Sequence, residues 1–209
     1  MQLRHVINLH KGVTPLVVGA LMWMYGNGSV AAWVYLALHG TYGLLWLLKD
    51  WIYPDRQWQQ PIGWGMAIAG WVVLGLYWLA PFLLIASGVD VPAPIVAAAV
   101  AVNILGIFLH YVSDAQKYFT LRYHKGLIDD GLFARSRNTN YLGELLIYGS
   151  FALLSMHWQP FVVLAGFFLV VFLPNMRRKD ESLSRYDNFQ AYRERSGFLL
   201  PKLGSLGQL

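Results

Sequence analysis

Charged side chains leave four stretches of the chain untouched: no Asp, Glu, Lys or Arg occurs in 12–48, 57–89, 91–113 or 145–176. A helix crosses a bilayer core with about 20 apolar residues. The first and last stretches therefore hold two short spans each and the middle two hold one each, which predicts six membrane helices at about 6–25, 30–52, 62–87, 94–118, 141–155 and 159–174. Turn chemistry supports the cuts. Gly26-Asn27-Gly28-Ser29 is a turn cluster, Pro54-Asp55 and Pro61 bracket a polar loop, Pro92 and Pro94 open a helix, and His157-Trp158-Gln159-Pro160 forms a tight hairpin. The expected fold is an all-α polytopic membrane bundle forming a single domain over 1–209, closed by a carboxyl-terminal amphipathic helix beneath the cytoplasmic face.

Composition sharpens this picture. Only 13% of residues are charged and 56% are hydrophobic, against about 25% charged in soluble domains, and mean hydropathy is +0.43. An ordinary soluble globule and a disordered chain are both excluded. There is no cysteine, which removes disulfides, thiolate metal sites and cysteine nucleophiles; no metal site is expected. The 16 Lys and Arg fall in alternate connections. Arg4 and Lys11 lie at the amino end, Lys49 and Arg56 between spans two and three, Lys117 to Arg137 between four and five, and Arg177 to Lys202 after six. Cations flanking spans stay on the cytoplasmic side, so both termini are expected there, in an inner or endoplasmic-reticulum-like membrane. The same rule accounts for the pI of about 9.5 without invoking nucleic acid; anionic membrane lipids are the expected partners.

Ionisable groups within or beside membrane spans are costly and point to function. At 3.6 residues per turn His110, Asp114, Lys117 and Tyr118 share one stripe at the inner end of span four; Asp114 is suited either to a ligand or to pairing with Lys117 or Tyr118. Arg135-Ser136-Arg137-Asn138-Thr139-Asn140-Tyr141 precedes span five, where guanidinium forks and helix N–H groups suit phosphate. Glu144 enters that span and needs a cationic or amide partner. After span six, Leu183, Tyr186, Phe189 and Tyr192 recur at helical spacing among cations, the pattern of the amphipathic helix.

Taken in order, these segments resemble the membrane-embedded reductase superfamily of steroid 5-alpha-reductases and sterol C14 reductases. The resemblance runs from Asn103 to Pro201 through Asp114-Ala115-Gln116-Lys117, Phe119, Arg122, Gly131-Leu132-Phe133, Ser136-Arg137-Asn138-Thr139-Asn140-Tyr141-Leu142-Gly143-Glu144, Lys179-Asp180-Glu181, Tyr186, Tyr192 and Leu200-Pro201. It implies a cofactor region over 103–201 that holds NADPH, with hydride passing to a carbon–carbon double bond of a lipid. It further implies that Lys117, Arg122 and Arg137 meet phosphates, that Asp114 and Asn140, with Tyr141 beside it, orient ribose or carboxamide, that Glu144 contacts the nicotinamide amide, and that Asp180, Tyr186 and Tyr192 complete the pocket. No Gly-x-Gly-x-x-Gly fingerprint competes for the dinucleotide. Thr139 and Asn138 stand where proline and histidine are common in that superfamily, and the Gln-Glu pair of steroid 5-alpha-reductases is missing, which leaves the hydrophobic substrate open.

A reductase also needs a proton donor beside the acceptor. His39, Tyr42, Trp46 and Lys49 share a face of span two. Tyr42 is the expected acid, assisted by His39, with Asp50 as the alternative, and 1–90 is expected to form the substrate chamber. Two other functions fit the same spans: an S-adenosylmethionine-dependent methyltransferase of isoprenylcysteine or phospholipid type, which resembles this core, and a non-enzymatic lipid-binding protein. The sequence leaves the oligomeric state open.

Overall fold

The computed structural model describes residues 1–202, which contain helices and only isolated β-bridges. α1 spans Leu3–Tyr25 and ends on Gly26, whose φ of 60° closes the helix in the left-handed region. α2 (Val30–Ile52) starts from Ser29, whose hydroxyl accepts from the Ala32 amide at 3.3 Å. α3 (Trp64–Gly75) and α4 (Leu79–Ser87) are joined through a 3₁₀ turn at Leu76–Trp78 into one apolar rod. α5 is the long helix Ala93–Tyr123 and α6 is Thr139–Leu154. α7 (Gln159–Phe167) continues through a π-helical turn at Phe168–Phe172 into α8 (Leu173–Leu183), and α9 is Phe189–Arg195.

Five of these rods are long and apolar enough to cross a membrane: Leu3–Tyr25, Val30–Ile52, Trp64–Ser87, Ala93–Tyr123 and Gln159–Leu183. α6, with 16 residues, is shorter than any of them. Large apolar side chains point outward, including Trp23 at 85%, Trp51 at 81% and Val170 at 76% exposure. Water penalises such a surface and lipid does not, so the chain is compatible with an integral membrane protein.

The chain divides into two compact units: Met1–Asn103 with Tyr148–Leu164, and Ile104–Ile147 with the chain from Ala165 onward. The carboxyl-terminal pattern is not one continuous helix. α8 carries the sixth rod on to Leu183, a turn follows, and only the seven residues of α9 are helical beyond it. Leu183, Tyr186, Phe189 and Tyr192 therefore do not share a single helical face; Phe189 and Tyr192 are buried, while Leu183 and Tyr186 are half-exposed.

In the second unit α5 and α6 meet backbone to backbone. A Cβ on Gly106 would lie 2.8 Å from the Gly143 carbonyl oxygen, and one on Gly143 would lie 2.4 Å from the His110 amide nitrogen. Only glycine permits this approach. It brings the inner part of α5, with His110 and Asp114, against the start of α6, where His110 Nδ1 lies 3.1 Å from the Asn140 carbonyl oxygen.

Candidate functional site

The second unit is organised around the segment that precedes α6. Ser136, Arg137, Asn138 and Thr139 are all at least 95% buried: the first three are bound to the stretch that follows α9, and the Thr139 hydroxyl donates to the Leu132 and Ser136 carbonyls at 2.9 and 3.1 Å. The Arg137 amide donates to the Gly197 carbonyl at 3.0 Å, Ser136 Oγ donates to Leu199 at 2.7 Å, and Asn138 Nδ2 donates to Phe198 at 2.8 Å. Arg137 is the centre of this knot. Its Nε donates to both oxygens of Asp180 at 3.1 and 3.0 Å, a terminal nitrogen pairs with Asp180 at 2.9 Å, and the other donates to the Ser196 carbonyl at 2.8 Å. Arg137 and Asp180 thus bind each other, and Arg137 also binds the chain. The Tyr192 hydroxyl donates to the Phe133 carbonyl at 2.9 Å. Burial holds that phenol above its ordinary range, Asp129 and Asp180 add to the effect, and Arg137 and Arg195 oppose it. It stays a neutral donor.

The remaining expected residues fall into two groups. Asp114 is buried and Lys117 and Tyr118 are half-buried, while Val112 and Phe119 face outward, so the predicted stripe on α5 points into its unit. Lys117, Asp114, Asp180 and Arg137 all act electrostatically on Lys179. Lys179 donates to the Arg137 carbonyl at 2.5 Å and lies 5.0 Å from the Phe133 ring centroid. This lysine was not singled out from sequence as a ligand-binding residue, although it stands beside Asp180 in the motif. Asn140 Oδ1 is buried without a hydrogen-bond partner among the described residues. Tyr141 packs 5.4 Å from Phe172, and Glu144 is half-buried one turn into α6. Arg122 and Tyr186 are not drawn into the cluster: Arg122 is exposed in the last turn of α5, and the Tyr186 hydroxyl accepts from Arg185 at 3.2 Å.

In the first unit Tyr42 and His39 are both fully buried on α2. His39 Nδ1 lies 3.1 Å from the Tyr35 hydroxyl, its ring stacks on Phe151 at 4.2 Å, and its centroid is 6.3 Å from that of Tyr42. The His39 Nδ1 hydrogen bond goes to Tyr35. What faces Tyr42 instead is Lys11, whose ammonium sits 4.0 Å over the ring. Lys11 was assigned to the cationic amino end, yet α1 begins at Leu3 and places it inside the helix, 2% exposed. The signal was present in the sequence as a charge within the first predicted span. Asp50, the alternative acid, accepts from Asn8 Nδ2 at 2.7 Å and lies 4.0 Å from Arg4.

Chemically, the second unit offers a set of half-buried cations with a carboxylate and an unpaired amide oxygen, suited to a polar anionic ligand. The first offers a buried amine among phenols in apolar surroundings. No curated protein matches this sequence. A family model matches residues 63–196, more than half of the chain, and by that match the chain belongs to DUF1295, a family of unknown function generally associated with steroid 5-alpha-reductase-like membrane proteins.

Proposed function

We propose that this chain is an NADPH-dependent reductase, acting on a carbon–carbon double bond of a hydrophobic substrate. The observation that carries the reading is the meeting of the inner part of α5, with Asp114 and Lys117, and the start of α6, where Asn140 Oδ1 is buried and unpaired among the described residues, in the unit that also holds Lys179. Lys117 and Lys179 are half-buried, and a phosphate held by such amines gains charge-assisted hydrogen bonds. Arg137 and Asp180 then act by fixing the backbone on which Lys179 is anchored. Asn140 Oδ1, buried and unpaired, is an acceptor in want of a donor, which a ribose hydroxyl or a carboxamide N–H supplies; Glu144 is a second acceptor on the same helix. Arg122, exposed in the last turn of α5, adds positive field rather than a fixed contact. These residues fit a dinucleotide phosphate, and NADPH bound to them supplies hydride.

In the bilayer α6 is the fifth of six spans, short because its amino end is embedded in the loop–tail knot. The cation-rich segments then share one side, with both termini cytoplasmic.

The reading is tested by titrating NADPH into the detergent-solubilised protein and following tryptophan quenching. Lys117→Gln and Lys179→Gln are each expected to weaken binding about tenfold, the worth of one charge-assisted contact, and to flatten its salt dependence. Equal affinity in the wild type and both variants would remove the proposed phosphate site.

A further inference from the structure

Between Asp114 and Lys117, α5 carries Gln116, a half-buried amide that the cofactor reading leaves without a task. It reaches out of the helix and grips the loop that returns the chain to α6. Its Nε2 donates to the Asp130 backbone carbonyl and to the Asp130 carboxylate, both at 3.1 Å, and its Oε1 accepts from the Leu132 amide at 3.0 Å. Two oxygens on one side and an N–H on the other fix which end of the amide is which. The loop is shaped to admit this side chain. Gly131, between the two gripped residues, has a φ of 53°, and a Cβ there would lie 2.6 Å from Gln116 Nε2. Glycine takes that conformation without strain, and the room it leaves is filled by Gln116.

The gripped segment carries part of the candidate site. The Leu132 carbonyl accepts at 2.9 Å from the hydroxyl of Thr139, the first residue of α6 and the neighbour of Asn140. The Phe133 carbonyl accepts from the Tyr192 hydroxyl of α9 at 2.9 Å, and the Phe133 ring, 3% exposed, lies 5.0 Å from Lys179 Nζ of α8. Four helices therefore meet on residues 130–133, and α5 holds them through Gln116. All of these groups belong to the second unit.

We infer that Gln116 is a positioning residue of the cofactor site, holding 130–133 so that the Phe133 ring backs the Lys179 ammonium and Thr139 keeps the start of α6 in place. The inference rests on the reading of the second unit as an NADPH site, and it adds a residue that acts through others. The grip demands an amide. Leucine at this position makes none of the three bonds. A carboxylate of the same shape keeps an acceptor for the Leu132 amide but turns the donor into a second acceptor, facing two Asp130 oxygens of which one is charged. Two carboxylates so placed hold a proton more tightly than either alone, and the protonated acid regains a donor. Glutamate at 116 therefore copies glutamine only in acid.

The test uses the full-length protein in detergent and NADP+ as the probe, which carries the phosphates of NADPH and survives acid. Tryptophan quenching gives its affinity for the wild type, Gln116→Glu and Gln116→Leu at pH 8 and pH 5.5, and comparison with the wild type at the same pH cancels the titration of the ligand. Gln116→Glu is expected to bind about tenfold more weakly than the wild type at pH 8 and within about twofold of it at pH 5.5. Gln116→Leu, which cannot regain the bonds, is expected to stay weak at both. Without ligand, amide hydrogen exchange over residues 130–133 at pH 8 is expected to be faster in both variants than in the wild type. If Gln116→Glu does not fold, Gln116→Leu decides by its affinity and exchange. Wild-type affinity of the variants at pH 8, a loss in Gln116→Glu of the same size at both pH values, or unchanged exchange overturns the assignment. A wild type that binds no NADP+ overturns the cofactor reading beneath it, and the exchange comparison then shows separately whether the grip exists.

Discussion

Replacing Arg137 with Met is expected to cost about 3–5 kcal/mol, the usual cost of removing one partner from a buried ion pair. The side chain is 5% exposed, and its nitrogens hold Asp180 on α8 and the Ser196 carbonyl at the end of α9. Its removal leaves Asp180 without that countercharge and takes away the donor that ties the loop before α6 to the carboxyl-terminal stretch. Whole domains have only about 5–15 kcal/mol in hand, so the variant is expected to be recovered from membranes poorly and to melt well below the wild type. Arg137→Met combined with Asp180→Leu is expected to recover part of the loss, since no lone buried charge then remains. Equal melting of the single variant and the wild type would show that the pair is ornamental. If Arg137 instead met a phosphate directly, the single variant would keep its fold and lose only NADPH affinity.

The second large effect is expected from Gly143→Ala. The added methyl group would lie 2.4 Å from the His110 amide nitrogen and 2.6 Å from the Gly106 carbonyl oxygen. Both are backbone atoms and neither can swing aside, so α5 and α6 must part. Overpacking of this kind costs about 1–3 kcal/mol, and here it also pulls His110 away from the Asn140 carbonyl, 3.1 Å distant. The expected result is a lower melting temperature together with weaker NADPH binding. Gly166→Ala is the matched control: nothing lies within 4 Å of its added methyl group, and alanine is the better helix former. It should melt at or slightly above the wild-type temperature. Identical melting of the two variants would mean that the α5–α6 contact is looser than the structure has it.

Local signals carried much of the fold. α2 runs over Val30–Ile52 as the sequence predicts, because a capping serine and a turn cluster sit on one side of it and a proline on the other. The end of the last rod was not legible. Polar residues from Asn175 onward were read as the end of a span, but leaving an apolar environment does not break backbone hydrogen bonds, and the helix runs on to Leu183. The site was legible as a list of segments rather than as a set of roles. The stripe from His110 to Lys117 follows from helical periodicity alone. The partners of Arg137 do not, since Asp180 and Ser196 lie far along the chain and a guanidinium before a helix looks the same from sequence whether it meets a phosphate or a carboxylate. Lys11 is hidden by a counting rule: a charge near a terminus counts as flanking, although residue 11 already falls within the predicted span 6–25 and α1 covers it. Lys179 was hidden by its neighbours, because in a run of cations nothing local says which one turns inward.

The central claim is that the second unit is a site for NADPH. It is tested most directly by thermal stabilisation of the purified full-length protein with NADPH, NADH and S-adenosylmethionine in parallel, where a ligand at a hundred times its dissociation constant adds about 2.7 kcal/mol. The account predicts a clear rise in melting temperature with NADPH, a smaller one with NADH, which lacks the 2′-phosphate, and none with S-adenosylmethionine. A rise with S-adenosylmethionine alone, or no rise with any of the three, would contradict it.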